Sequence, residues 1–541
     1  MKRTLALILA LVMTMALVAC GGQPSTSTPG GASSSGGATT TPPETSDIKD
    51  INKDQEVKVE ETKTYKKELA IPYGNNITAF DPMLKTGAGP DVAYKMVYNQ
   101  LVNFNFETNE IEPELAESWV VESANSYVFN LRKGVKFSNG EELTADDIVF
   151  TFFERPKAVS GTTGTAIWNY LEAVEVINDY SVRFKMTRDD ADVLYRLFLA
   201  YFGILNREAC EKDPENGQMI GTGGWIVDSW APGDHVTFVR FDNSWVWEEN
   251  GMNPTEKIVM RYMTESSARS IALQNNELAA NHLVSLSDLD SLKASGNIHT
   301  AVFNAETLNY IAFNMTGDLM SNVKLRQAVA YAINYDEIIE FTSNGLATRA
   351  YSMWGKSQYG LFEDFDEQFE YNPEKAKQLL TEAGYANGLE IDFIGTAARE
   401  TVATLLQAQL SQCNIKMNIS LLDSAGVTAA VKDGTFDILW YDISLRVDGG
   451  RMSFLNDGKQ SSNRAKYDNP EMLQKSNEAL GEKDDAKRRE MYKEVQIAFH
   501  EDLPYLPMYY GISVVGWADG VTGIEWTLDA KPDFTHMRWA E

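Results

Sequence analysis

The opening 64 residues confine whatever this chain can fold to the stretch that follows them. Lys2 and Arg3 precede a short apolar run, Leu5 to Leu17, which closes at Leu17-Val18-Ala19-Cys20. A positive start, an apolar middle and small residues at the cut are the order of a secretory signal. The run is shorter than the roughly 20 apolar residues that span a bilayer. Residues 21 to 64 are then rich in Gly, Ser, Thr and Pro, as in Thr28-Pro29-Gly30-Gly31-Ala32-Ser33. Such a composition buries too little apolar surface to offset the entropy of ordering. The expectation is a signal peptide over 1–19, a tether over 20–65 and a folded body beyond. As a flexible coil the tether reaches about 35 to 40 Å.

Hydrophobic residues make up 43% of the chain, enough for a large core and more than one lobe in a body of this length. The formal net charge of −29 argues against nucleic acid and against anionic lipid head groups as partners. Apart from Cys20, the cysteines are Cys210 and Cys413, too far apart in sequence to suggest a stabilising disulfide. His235, His282, His299, His500 and His536 show no metal-ligand spacing. No metal site and no cofactor is expected.

Local signals alternate between helix and strand. Thr144 with Asp147 forms a capping box ahead of Ile148, Val149 and Phe152. Asn372-Pro373 and Asn469-Pro470 each start a helix, the first carrying Ala376, Leu379, Leu380 and Ala383 on one face. Leu325, Ala328, Val329 and Ala332 mark another helix, as do Met491, Tyr492, Val495, Ala498 and Phe499. Tyr127, Phe129 and Leu131 alternate as a strand, and Pro232-Gly233-Asp234 turns a hairpin between Trp225-Ile226-Val227 and Val236 to Val239. With no internal repeat, the body is α/β.

The stretch Pro113-Glu114-Leu115-Ala116-Glu117-Ser118-Trp119 leads to Tyr127-Val128-Phe129-Asn130-Leu131-Arg132-Lys133-Gly134-Val135-Lys136-Phe137 and on to Leu143-Thr144-Ala145-Asp146-Asp147-Ile148-Val149. Together these resemble the signature block of the extracellular solute-binding proteins of family 5, the peptide and nickel class that feeds ABC transporters. Gly221 to Trp225, Val323 to Ala328, Asn372-Pro373 and Leu503 to Pro507 continue the resemblance in order. It implies a periplasmic-binding-protein-like fold of type II, with two α/β lobes, an extra subdomain in the first, and a ligand enclosed between them. On that plan 66–98, 219–301 and 506–541 make the first lobe, 99–218 the inserted subdomain and 302–505 the second lobe. The segment ending at Cys20 resembles a bacterial lipoprotein signal, which implies a lipid on Cys20 and a monomer anchored at the extracytoplasmic face of the cell membrane. Its implied partners are a permease and an ATPase.

In peptide-binding members an Asp after a Trp-containing strand takes the amino terminus of the ligand. The corresponding run here, Phe436 to Gly450, departs from the pattern in lacking Tyr-Pro. Asp448 is the first carry-over and Asp442 the second, each with a solvated loop carboxylate as the alternative. Arg446 is a candidate for a ligand carboxylate, or a surface ion-pair partner. Trp354 and Trp440 fall where relatives line the cleft, with plain core as the alternative. Thr86, Gly87 and Ala88 follow Phe80-Asp81-Pro82 where relatives bring backbone near the ligand; the alternative is a surface turn. The weakened amino-terminus motif keeps an oligosaccharide, a haem-like compound or a metal chelate open beside a peptide. A tethered sensor remains an alternative to transport. A serine hydrolase is disfavoured, because Lys85-Thr86-Gly87 precedes Ser321-Asn322-Val323-Lys324 where a serine β-lactamase needs the reverse order, and Ser46-Asp47-Ile48-Lys49 falls in the tether.

Overall fold

The computed structural model describes residues 45–56, 59–60, 62–84, 88–159, 170–362, 365, 369–445, 447, 449, 455–458, 460 and 463–541. Thr86, Gly87, Arg446, Asp448 and Cys20 lie outside them. Residues 43–541 form one compact unit.

The capping signals act where the sequence places them. Asp147 accepts from the Thr144 backbone N–H at 3.0 Å and starts the helix Ala145–Val149. Asn372 and Asn469 cap Pro373–Glu382 and Pro470–Gly481 through side-chain oxygens that accept from Lys375 N and Met472 N. Here proline fills a first-turn position whose N–H has no intrahelical acceptor. The strand Ser126–Leu131 buries every second residue, as a sheet with one solvated face requires. Gly233 turns the hairpin between Trp225–Ala231 and His235–Arg240 at φ 80°, a region that glycine enters without a steric cost.

Three sheets carry the fold. The first runs in the order Glu68–Tyr73, Lys257–Tyr262, His235–Arg240, Trp225–Ala231, with its first pair parallel. The second, fully antiparallel, runs Ala116–Ser123, Ser126–Leu131, Ser181–Met186, Leu171–Asn178. The third has seven strands, six of them in the order Ala280–Asn281, Tyr505–Ala518, Ile298–Phe313, Ile438–Ser444, Leu389–Thr396, Ile415–Leu422. Each region closes its own core. Leu69, Ile71, Phe238, Ile258 and Leu273 pack with Val302 and Val515. Phe129, Ile148, Phe152, Phe184 and Phe202 make another core. Leu325, Phe393, Leu406 and Ile438 pack with Ile311 and Leu506 in the third region.

The strands Ile298–Phe313 and Tyr505–Ala518 belong to two of these cores at once. Ile298 to Asn304 pairs with Ile512 to Ala518 beside the first core, and Leu308 to Ala312 pairs with Tyr505 to Tyr510 beside the third. Between Asn304 and Leu308 the register shifts, the local kink that a bulge puts into a paired strand.

The tract expected to be unstructured up to residue 65 departs from that expectation. Ile48–Gln55 is a helix whose N-cap, Asp47, accepts from Lys49 N, and it buries Ile48 and Ile51 in the first core. Asn52 exchanges two hydrogen bonds with the backbone of Trp526, both at 2.9 Å. Two isoleucines three apart in a polar stretch are a faint helical signal, and tertiary packing rather than local propensity supports this short helix. We expect Ile51→Ala to lower unfolding stability by about 2 to 5 kcal/mol, read by denaturant titration, whereas a free tether at this position would leave the midpoint unmoved.

Candidate functional site

Glu306 lies in the register shift, where the chain passes from the first core to the third. Its backbone N–H donates to Leu528 O at 2.7 Å, its carbonyl accepts from Leu445 N at 2.7 Å, and its carboxylate accepts from Ser357 N at 3.0 Å. Burial raises this carboxyl above the usual carboxylate range, opposed by the Ser357 hydrogen bonds and by Lys356. Gly355 leaves room for it, since a Cβ there would come to 2.0 Å from Glu306 Oε2 and the carboxylate would have to shift. One residue thus ties the C-terminal segment near Leu528 and the end of the strand Ile438–Ser444, through its backbone, to the loop from Ser352 to Tyr359, through its carboxylate.

One of the sequence candidates, Trp354, lies at this node, and the stretch that flanks two others approaches it. Trp354 is buried in the loop; its carbonyl accepts from the Tyr510 hydroxyl at 2.6 Å, and its indole Nε1 has no hydrogen-bond partner. The stretch that contains Arg446 and Asp448 is bracketed by buried Leu445 and Val447 and by Gly449. Tyr359 N donates to Val447 O at 2.6 Å, and a Cβ on Gly449 would fall 2.9 Å from Tyr359 O. Trp440 sits instead in the strand Ile438–Ser444, buried in the third core with its ring 6.1 Å from that of Tyr509, and its Nε1 is also unpartnered. Asp442, two residues on, pairs with Arg399. Ala88 opens the helix Ala88–Val97.

Residues to which the sequence drew no attention carry further unpaired polar atoms. His282 is 5% exposed, yet neither ring nitrogen has a partner. Burial, and then the Arg269 charge, lower its pKa to about 4, so it is neutral at pH 7. Asn281 Nδ2 and the Tyr73 hydroxyl are likewise buried and unpartnered. Most buried polar atoms in folded proteins are paired, so each of these is a candidate contact for a polar ligand. No sequence signal marked His282, which has neither metal-ligand spacing nor a motif around it. Among the described residues no group of three His, Cys, Asp or Glu has the geometry to hold a metal ion, and Cys210 and Cys413 are free and buried. No helix among the described residues is long and apolar enough to cross a membrane.

Residues 110–463, more than half the chain, match the family described as bacterial extracellular solute-binding proteins, family 5 Middle. Heme-binding protein A of Haemophilus influenzae is 28% identical over 481 residues, which cover 82% of this chain and 87% of that protein. The dipeptide-binding protein of Escherichia coli is 28% identical over 466 residues, covering 79% and 86%. Among solved structures, HbpA2 from Haemophilus parasuis superposes with a TM-score of 0.78 at 24% identity, over 87% of this chain and 99% of that one. The architecture is the mixed α/β, two-lobe fold of periplasmic binding proteins.

The buried neutral imidazole has a pH signature. Between pH 6.5 and about 4 the unfolded chain protonates His282 while the folded chain does not, so stability falls as the pH drops through that window. Relative to His282→Gln, we expect the wild-type chain to lose up to about 3 kcal/mol between pH 7 and pH 4, measured by urea unfolding at each pH. Parallel curves for the two proteins would show that the imidazole is not held neutral.

Proposed function

The chain belongs to the bacterial extracellular solute-binding proteins of family 5, and on that premise we propose that it captures a short peptide between its lobes and delivers it to an ABC permease and ATPase. In this reading the body is a monomer held at the extracytoplasmic face of the cell membrane by a lipid on Cys20, and it carries out no reaction. The first lobe comprises 66–98, 219–301 and 506–541, joined by the helix Ile48–Gln55; 99–218 is the inserted subdomain and 302–505 the second lobe. Asp448 takes the ligand ammonium group and Arg446 a carboxylate, with Trp354, Trp440, Thr86, Gly87 and Ala88 as further contacts.

One observation carries the reading. At Glu306 a segment of the first core, near Leu528, meets the two loops of the second lobe that bear Trp354 and flank Asp448. A ligand seated there touches both lobes, and a ligand that binds the closed arrangement better than the open one draws the lobes together. The dipeptide-binding relative supports a peptide as the cargo.

A second reading, a haem-like compound or other metal chelate, is favoured by His282, whose unprotonated imidazole has a nitrogen to offer a metal that arrives with its own ligands. The heme-binding relative supports it.

The test is to extract the full chain from its membranes in detergent under native conditions, denature it, and identify what it releases by mass spectrometry. We expect a set of short peptides, and for the most abundant of them a loss of about tenfold in affinity or more in Asp448→Ala, where a buried ammonium group loses its partner. A metal chelate would overturn the peptide reading in favour of the second one, and a protein that releases nothing and binds no peptide would overturn both.

A further inference from the structure

The inserted subdomain meets the second lobe at a buried, charged seam. Asp190 and Asp192, both fully buried, stand at its edge. Asp190 is held inside the subdomain, where Arg196 pairs with its carboxylate and Tyr127 donates to its carbonyl at 2.8 Å. Asp192 faces across. Its Oδ2 accepts from the hydroxyl of Tyr492 at 3.0 Å, a residue 300 positions away, and the intervening Ala191 N–H donates to Leu480 O at 2.8 Å.

The opposite wall is built to meet that carboxylate. Tyr492 and Arg488 lie one turn apart on the helix Asp485–Asp502, which is fastened into the second lobe by Val495 and Phe499. Arg488 is 8% exposed and donates through Nε to Tyr359 at 2.7 Å. Burial works against its charge, but the Asp192 carboxylate, foremost among the groups that favour that charge, helps to hold its pKa above the ordinary value. Tyr195 of the subdomain sets its ring 5.3 Å from that of Tyr359. On its own side of the seam Arg488 also has Tyr359 and Asp485 as partners.

We infer that Asp192, Tyr492 and Arg488 form a clasp that holds the inserted subdomain shut on the second lobe and sets the balance between the closed and open arrangements. The inference rests on the two-lobe capture proposed above and gives the subdomain a part in it. A hydrogen bond to a charged acceptor is among the stronger ones. When the seam parts, Asp192 turns to water and the hydrogen bonds across it are lost. Ligand affinity then scales with the fraction of molecules that are closed, so a weaker clasp lowers apparent affinity without touching a ligand contact.

Amide hydrogen exchange on the full chain in detergent, with no ligand added, tests the clasp through Ala191, whose N–H is bonded across the seam. In Tyr492→Phe and in Asp192→Asn we expect this amide to exchange about tenfold faster or more. The amides of the sheet strands Ser126–Leu131 and Ser181–Met186 should keep their wild-type protection. The double variant should add little to either single one, since both act on the same contact, Tyr492→Phe by deleting the donor and Asp192→Asn by removing the acceptor's charge. Unchanged protection at Ala191, or a loss that extends equally into that sheet, would overturn the inference. Tyr492→Phe deletes only a hydroxyl and guards against misfolding of the Asp192 variant. Because no ligand enters the measurement, failure of the peptide reading would leave this result interpretable.

Discussion

The first and third cores both depend on the pairing of two strands, Ile298–Phe313 and Tyr505–Ala518. Each contributes one end to the first core and the other to the third, so neither core can close without both. Their ladder shifts register twice, between Asn304 and Leu308 and again between Asn309 and Tyr310, and the first break is occupied by a buried carboxylate whose residue binds three other segments. A continuous ladder would weld the two cores into one body. A break with no side chain to organise it would leave unpaired backbone groups in the interior, at a cost comparable to a lost hydrogen bond each. Glu306 resolves the two demands.

The elements that the sequence made legible are those fixed by local chemistry. Thr144 with Asp147, Asn372-Pro373 and Asn469-Pro470 start helices because their side chains or missing N–H groups answer a need of the first helical turn, whatever surrounds them. The turn at Gly233 is of the same kind. The helix Ile48–Gln55 was hidden because its support is the backbone of Trp526, more than 400 residues away. The strands that cross between cores were hidden too, since alternation marks a strand that is buried on one face and these are buried over most of their length.

The site divides the same way. Trp354 was reachable from sequence through a resemblance, but only coordinates join it to Glu306 through the loop that holds both Gly355 and Ser357. His282 was counted among histidines without metal spacing, and its character comes from burial that no motif records. Glu306, Asp192 and Arg488 read as three more charges in an acidic chain. Their roles depend on which lobe each one faces.

The most direct measurement is small-angle scattering on the purified chain, first stripped of what it carries and then given back the released material. If the two lobes close on a ligand as proposed, the radius of gyration falls on addition and returns when the ligand is removed. An identical scattering curve in both states, with binding shown independently in the same sample, would contradict the account.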